Sequence, residues 1–275
     1  MAALVLGIFL GGGVIAIPVV TGIAEGVAEQ QKQNEEAANE TRMIKFNMLV
    51  SCDSDDELAD DIDNGILVMR HDKAWIVPRD AENKPIPPIE DMSPPLHAFA
   101  GFFIQYPDED RLPPERGMVS TISEDPPVLN WLYIDRDTYA ATYGNRTASI
   151  KHIVGVWDWT DDEKFITLDG WEGFVAMDES AVDGWKDTPW GKEGLRWALY
   201  FDIDDNGLKG RKRGRESFEV TLERRCQSEA DQLKQMEEAE KKMQVKSRGD
   251  LKTQFTAPAA EQRRKAEREE KRQSD

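Results

Sequence analysis

The chain has 275 residues, with 35 Lys and Arg against 53 Asp and Glu for a formal net charge of −18, enough length for one packed β-type domain with appendages or for two small domains. The length excludes a disulfide mini-protein and a large multidomain enzyme, and the charge argues against broad attraction to nucleic-acid phosphate or an anionic lipid surface. Cys52 and Cys226 are the only cysteines, and one long bridge or two reduced thiols both remain open.

No residue from 2 to 24 is charged, and Ala, Leu, Val, Ile, Phe and Gly dominate the run. As a helix at ~1.5 Å per residue it reaches roughly 34 Å, enough to cross a ~30 Å hydrocarbon layer. Gly7 and Gly11 suit close helix approach in lipid. The leading reading of residues 2–24 is therefore a membrane anchor and of the protein a membrane-associated one. A secretory signal lacks its basic residue ahead of the run, while Gly11, Gly12, Gly13 and Pro18 weaken a helix and favour an interfacial or packed segment. Lys32, Arg42 and Lys45 after the run lean the bulk of the chain towards the cytosolic side. Two sequons, at Asn39 and Asn145, pull the other way, so orientation stays undetermined. Residues 25–42, rich in Glu, Gln and Ala, read as a polar helical stalk.

Residues 43–226 carry 37 of the acidic residues and read as an acidic, Trp-rich β domain of roughly ten strands, a sandwich or a barrel. Ile44, Phe46, Met48, Val50 and Cys52 alternate on one face at period two, which begins a strand. Seven acidic residues between positions 53 and 63 predict an exposed loop, and residues 65–70 and 73–77 a hairpin around His71-Asp72. Prolines at 78, 85, 87, 88, 94 and 95 exclude regular helix. Apolar and β-branched runs then recur at 98–106, 118–122, 129–134, 150–157, 165–168, 174–177, 197–203 and 218–222.

Six of the eight Trp lie from Trp157 to Trp197. Trp157 and Trp159, at i and i+2, share one side of a strand, and with Trp171 they are the candidate platforms for stacking a sugar ring or gripping a peptide; core filling is the competing reading. Asp202-Ile203-Asp204-Asp205-Asn206-Gly207 matches the front half of a Ca²⁺ loop, with Asp202, Asp204 and Asn206 as candidate ligands. Arg213 stands where the loop needs a bidentate Glu, and a turn between two strands accounts for the same residues. Lys209, Arg211, Lys212, Arg213 and Arg215 follow, a basic stretch whose charge the preceding carboxylates offset. The three His match no zinc spacing, and no complete catalytic or cofactor motif occurs.

Gly144-Asn145-Arg146-Thr147, Trp157-Asp158-Trp159-Thr160, Gly170-Trp171-Glu172-Gly173-Phe174-Val175-Ala176 and Trp197-Ala198-Leu199-Tyr200-Phe201-Asp202, with the apolar Gly-rich N-terminus, resemble a group of filamentous-ascomycete fungal proteins without known activity. The resemblance extends to about Arg225 and implies a fungal source but no site residues. Beyond it, residues 227–275 read as a charged helical or disordered tail. Leu233, Met236 and Met243 form a thin seam interrupted by Glu240, a segment able to dock on a protein partner, and Pro258 breaks the helix. The expected function is membrane-associated binding or scaffolding without catalysis. The alternatives are a carbohydrate-active hydrolase or sugar-binding module using Trp and carboxylates, and Ca²⁺ binding through the loop above. Oligomeric state is open.

Overall fold

The alternation at residues 44–52 becomes a strand, β1 (Phe46–Ser51), in the computed structural model, which describes residues 42–108, 110–124 and 127–227. The readings of residues 2–24, of the stalk up to residue 41 and of the tail from residue 228 lie outside the described residues. Twelve more strands follow: β2 (Gly65–Arg70), β3 (Lys73–Pro78), β4 (Ala100–Gln105), β5 (Arg116–Glu124), β6 (Pro127–Ile134), β7 (Ala141–Gly144), β8 (Trp157–Trp159), β9 (Ile166–Leu168), β10 (Phe174–Asp178), β11 (Trp197–Phe201), β12 (Ser217–Glu219) and β13 (Thr221–Cys226). The architecture is mainly β and barrel-like, and its helices among the described residues are single turns.

Six strands form the staves. β1 pairs with β13 from Phe46↔Cys226 to Ser51↔Thr221 and with β4 at Phe46↔Gly101. β4 pairs with β5, and β8 with β9. An Arg116–Asp158 ion pair ties β5 to β8, and a Phe165↔Glu223 bridge ties the β9 edge to β13. Three two-stranded units, β2–β3, β6–β7 and β10–β11, close one end. Their register is threefold: Lys73 pairs with Thr142, Ala140 with Tyr200 and Ala198 with Trp75. In each pair the first member of one unit meets the residue two positions further on in the next.

Period two explains why these units bury both faces. Leu67, Met69, Ala74, Ile76, Ala176 and Leu199 point into the barrel core, and Ile66, Val68, Trp75, Val77, Val175 and Tyr200 point into a second cluster roofed by Leu96, Trp190, Leu195 and Leu208. Segments between strands, the Pro-rich one included, therefore serve as lids on an otherwise apolar sheet face.

Two expectations need correction, and one open alternative is settled. Part of the acidic run folds: Asp56 accepts from the Leu58 amide at 2.9 Å to start a tight turn at Glu57–Asp61, which buries Ala59 and, just after it, Ile62. The run at 150–157 is not one strand, because Asn145 caps a helical turn at Arg146–Ser149 and only Trp157–Trp159 is extended. Cys226 stands opposite Phe46 while Cys52 follows the other end of β1. Six residues at ~3.3 Å separate them by about 20 Å, far beyond the ~6 Å Cα span of a disulfide, and both thiols are free. The Gln227 amide donates to the Lys45 carbonyl at 3.0 Å, so these two residues lie side by side at the start of β1.

Candidate functional site

β2 and β3 are joined by two residues, and both take the left-handed conformation: His71 has φ 50° and Asp72 φ 60°. Positive φ at both positions is the type I′ hairpin turn, which Asn-Gly supplies without strain. His and Asp cost of order 1 kcal/mol each there. The strained turn holds Arg70, His71 and Lys73 together, and the Trp75 indole N–H fixes its base by donating to the Arg70 carbonyl at 2.8 Å.

Residues 179–196 link β10 to β11 and lie across this tip. The strap begins with a turn capped by Asp178, passes Gly184 at φ 75°, and forms a helical turn at Pro189–Lys192 whose first turn is capped by Thr188 Oγ1, which accepts from the Gly191 amide at 3.0 Å. It ends at Gly194, φ 72°, where an added Cβ would come within 3.0 Å of Pro88. Two anchors hold it. Arg70 donates through Nε at 2.9 Å and Nη2 at 2.6 Å to the two carboxylate oxygens of Glu193, and His71 Nε2 lies 2.9 Å from the same group. These partners hold the Glu193 carboxyl below its usual range, Arg70 foremost, and Arg70 is raised in turn.

The second anchor is the Lys73 ammonium, which sits 5.6 Å from the Trp75 ring centre, 5.4 Å from that of Trp190 and 5.9 Å from that of Tyr200. Its counterparts in the threefold register are Ala140 and Ala198, which leave room for these rings. The buried carboxylate of Glu179 neutralises it at 3.5 Å, accepts from Arg215 Nη1 at 2.7 Å and from the Tyr200 hydroxyl at 2.5 Å. Burial, with Glu179 alongside, pushes the Tyr200 phenol well up. Arg70 and Glu193 keep 15% and 19% of their side chains exposed and Lys73 22%, so the cluster meets solvent. The half-buried Trp190 ring borders it.

The residues singled out in the sequence lie elsewhere. Trp157 and Trp159 do share one side of β8, and that side faces inward. Trp157 is fully buried and stacks on Phe174 at 6.0 Å, while Trp159 meets Phe103 edge-on at 5.2 Å with the Arg224 guanidinium 4.1 Å over its ring. A ring enclosed like Trp157 offers no face to a ligand. Trp171 packs on Phe201 at 5.4 Å, and a Cβ on Gly173 would strike its ring at 2.3 Å. Asp202 Oδ2 accepts from the Gly207 amide at 2.5 Å and Asn206 Oδ1 from the Lys209 amide at 2.8 Å, so both brace a turn, while Asp204 accepts from the Tyr139 hydroxyl at 3.2 Å and ties that turn to the segment before β7. Among the described residues no group of three or more His, Cys, Asp or Glu could hold a metal ion. In the basic stretch Arg215 serves Glu179 and Arg211 lies 3.5 Å over the Tyr139 ring.

Arg70, His71, Lys73, Glu179, Trp190 and Glu193 went unread because their pairings span up to 123 positions. The one local signal was His71-Asp72 where a hairpin prefers Asn-Gly. Residues 22–228 match the family model described as the fungal beta-trefoil domain. No curated protein and no solved structure matches the chain. A barrel of six strands closed by three units in threefold register is a beta-trefoil, and with most of its length matched the chain belongs to the fungal beta-trefoil domain family, in agreement with the fungal resemblance of its Trp-rich region.

Proposed function

We propose that the protein is a non-catalytic saccharide-binding module that receives its ligand at the β2–β3 tip and the strap. The observation that carries this reading is the half-buried Trp190 ring, with Lys73 5.4 Å from its centre and Glu193, held by Arg70 and His71, one turn further along the strap. An aromatic face flanked by a few fixed polar groups is the composition of a small-molecule site, and it suits a sugar's apolar ring face and hydroxyl rim. The beta-trefoil is often a carbohydrate-binding fold, which is compatible with the reading. A hydrolase would need a carboxylic acid raised to donate a proton, whereas Glu193 is lowered by its cations.

Calorimetry of the full-length protein against neutral and acidic oligosaccharides tests the reading. Wild type is expected to bind at least one class, and Trp190→Ala to lose that binding while its melting remains cooperative. Binding that Trp190→Ala leaves unchanged would place the ligand elsewhere and defeat the assignment.

A further inference from the structure

The contact between Glu193 and the hairpin tip has the form of a filled receptor. Arg70 presents two parallel N–H donors to a planar carboxylate, 2.9 Å and 2.6 Å away, and His71 adds a third contact at 2.9 Å. A fork of this kind matches a carboxylate in both oxygen spacing and plane. The tip supplies Arg70 and His71 from a two-residue hairpin, and the carboxylate comes from the strap.

Residues 181–184, 186, 187, 189 and 192 of the strap are exposed, and its packing rests on Trp185, Trp190 and Leu195, on the ion pairs of Glu193 and Glu179 and, at its end, on Arg196 with Asp178 and Asp61. Gly184 and Gly194, both at positive φ, bracket the part that carries Trp190 and Glu193, positions able to absorb a backbone change. Withdrawal of Glu193 would leave Arg70 and His71 without their carboxylate partner beside the Trp190 ring.

We infer that the ligand is an acidic saccharide whose hexuronate carboxylate replaces Glu193 on Arg70 and His71, with Glu193 serving as a built-in competitor that closes the site when no ligand is bound. The inference rests on the saccharide-binding reading above. A carboxylate on a pyranose ring places its charge beside an apolar ring face, which is the pairing that the Arg70 fork and Trp190 provide. The −18 net charge of the chain opposes an anionic ligand at long range, but at physiological salt that repulsion is screened beyond ~8 Å while the contact pair is not.

The test is calorimetric titration of full-length protein with trigalacturonate, the neutral galactose trimer, a sulfated galactose trimer and a Glu-rich peptide. Two variants are compared with wild type: Glu193→Gln, which keeps the size of the competitor and removes its charge, and Arg70→Lys, which keeps the charge and removes the fork. Trigalacturonate is expected to bind about tenfold tighter than the neutral trimer, tighter by about a further fivefold in Glu193→Gln, and about tenfold weaker in Arg70→Lys. Equal binding of acidic and neutral trimers, unmoved by Arg70→Lys, would overturn the carboxylate assignment and leave the saccharide reading standing. Tighter binding of the sulfated trimer or the peptide would overturn the ligand class. No binding of any trimer to wild type or Glu193→Gln would defeat both readings.

Discussion

Glu193 closes on Arg70 across 123 positions of sequence, with both carboxylate oxygens engaged at 2.9 Å and 2.6 Å. The pair ties the end of β2 to the strap between β10 and β11, so one contact links two of the three closing units. Its strength depends on the carboxylate staying ionised.

Stability in acid should therefore follow Glu193 and Asp178. Arg70 draws the Glu193 carboxyl below its usual range; burial pushes Asp178 up, but the bonds from Arg196 and Ser180 more than offset it and leave it lowered. A depressed carboxylate contributes stability that is present above its unfolded pKa, about 4, and is lost as pH falls through its folded value. The urea midpoint should hold from pH 7 to about 5 and drop below about 4. Glu193→Gln should flatten the acid limb by at most about 1.4 kcal/mol per pH unit. An acid limb identical to that of wild type would show that the pair carries no such linkage.

Trp157 and Trp190 should separate stability from binding. Trp157 is fully buried among other core side chains, so Trp157→Ala opens a cavity worth about 3–5 kcal/mol. Trp190 is half-buried at the strap, and Trp190→Ala should cost about 1–2 kcal/mol on the smaller area removed. Urea unfolding of both variants reads the difference directly, and equal losses would contradict the placement of one ring in the core and the other at the rim.

The contrast between these two tryptophans also explains what the sequence could reveal. Strands such as Phe46–Ser51 and Phe174–Asp178 were legible because alternation of apolar residues is a local signal that burial on one or both faces enforces. β7, only Ala141–Gly144, carried too little of it and was missed. The i, i+2 spacing of Trp157 and Trp159 correctly gave one shared side, but spacing does not say whether that side is inside. The threefold closure lies in pairs such as Lys73 with Thr142 and Ala198 with Trp75, and no spacing in one chain announces them. Glu193 offered even less, since any of 53 acidic residues was an equal candidate partner for Arg70.

Cys52 and Cys226 should remain independent thiols. They occupy opposite ends of the β1–β13 pair, about 20 Å apart by strand rise. Burial, with Asp63 and Asp53 nearby, pushes the Cys52 thiol up, which slows its reaction as a thiolate, while Cys226 is exposed. Under mild oxidation of a dilute sample, mass spectrometry should find no bridge between them, and a labelling reagent near pH 7 should modify Cys226 first. An intrachain Cys52–Cys226 bridge without loss of fold would refute the β1–β13 register.

The strained turn at His71-Asp72 should behave as a position where stability has been given up for the site. Asp72 sits at φ 60° with its carbonyl accepting from the Tyr143 amide at 3.1 Å, a bond that glycine preserves. Asp72→Gly relieves the left-handed conformation without touching Glu193, so it should stabilise by about 0.5–1 kcal/mol, net of the entropy glycine adds to the unfolded chain. His71→Asn should also be tolerated at φ 50°, because Asn enters that region more readily than His. It removes the imidazole that meets Glu193 at 2.9 Å, so its gain in melting temperature should come with weaker oligosaccharide binding. If His71→Asn raises stability and leaves binding intact, the turn is strained for some reason other than the site; if both variants destabilise, the left-handed geometry is not a strain that these residues relieve.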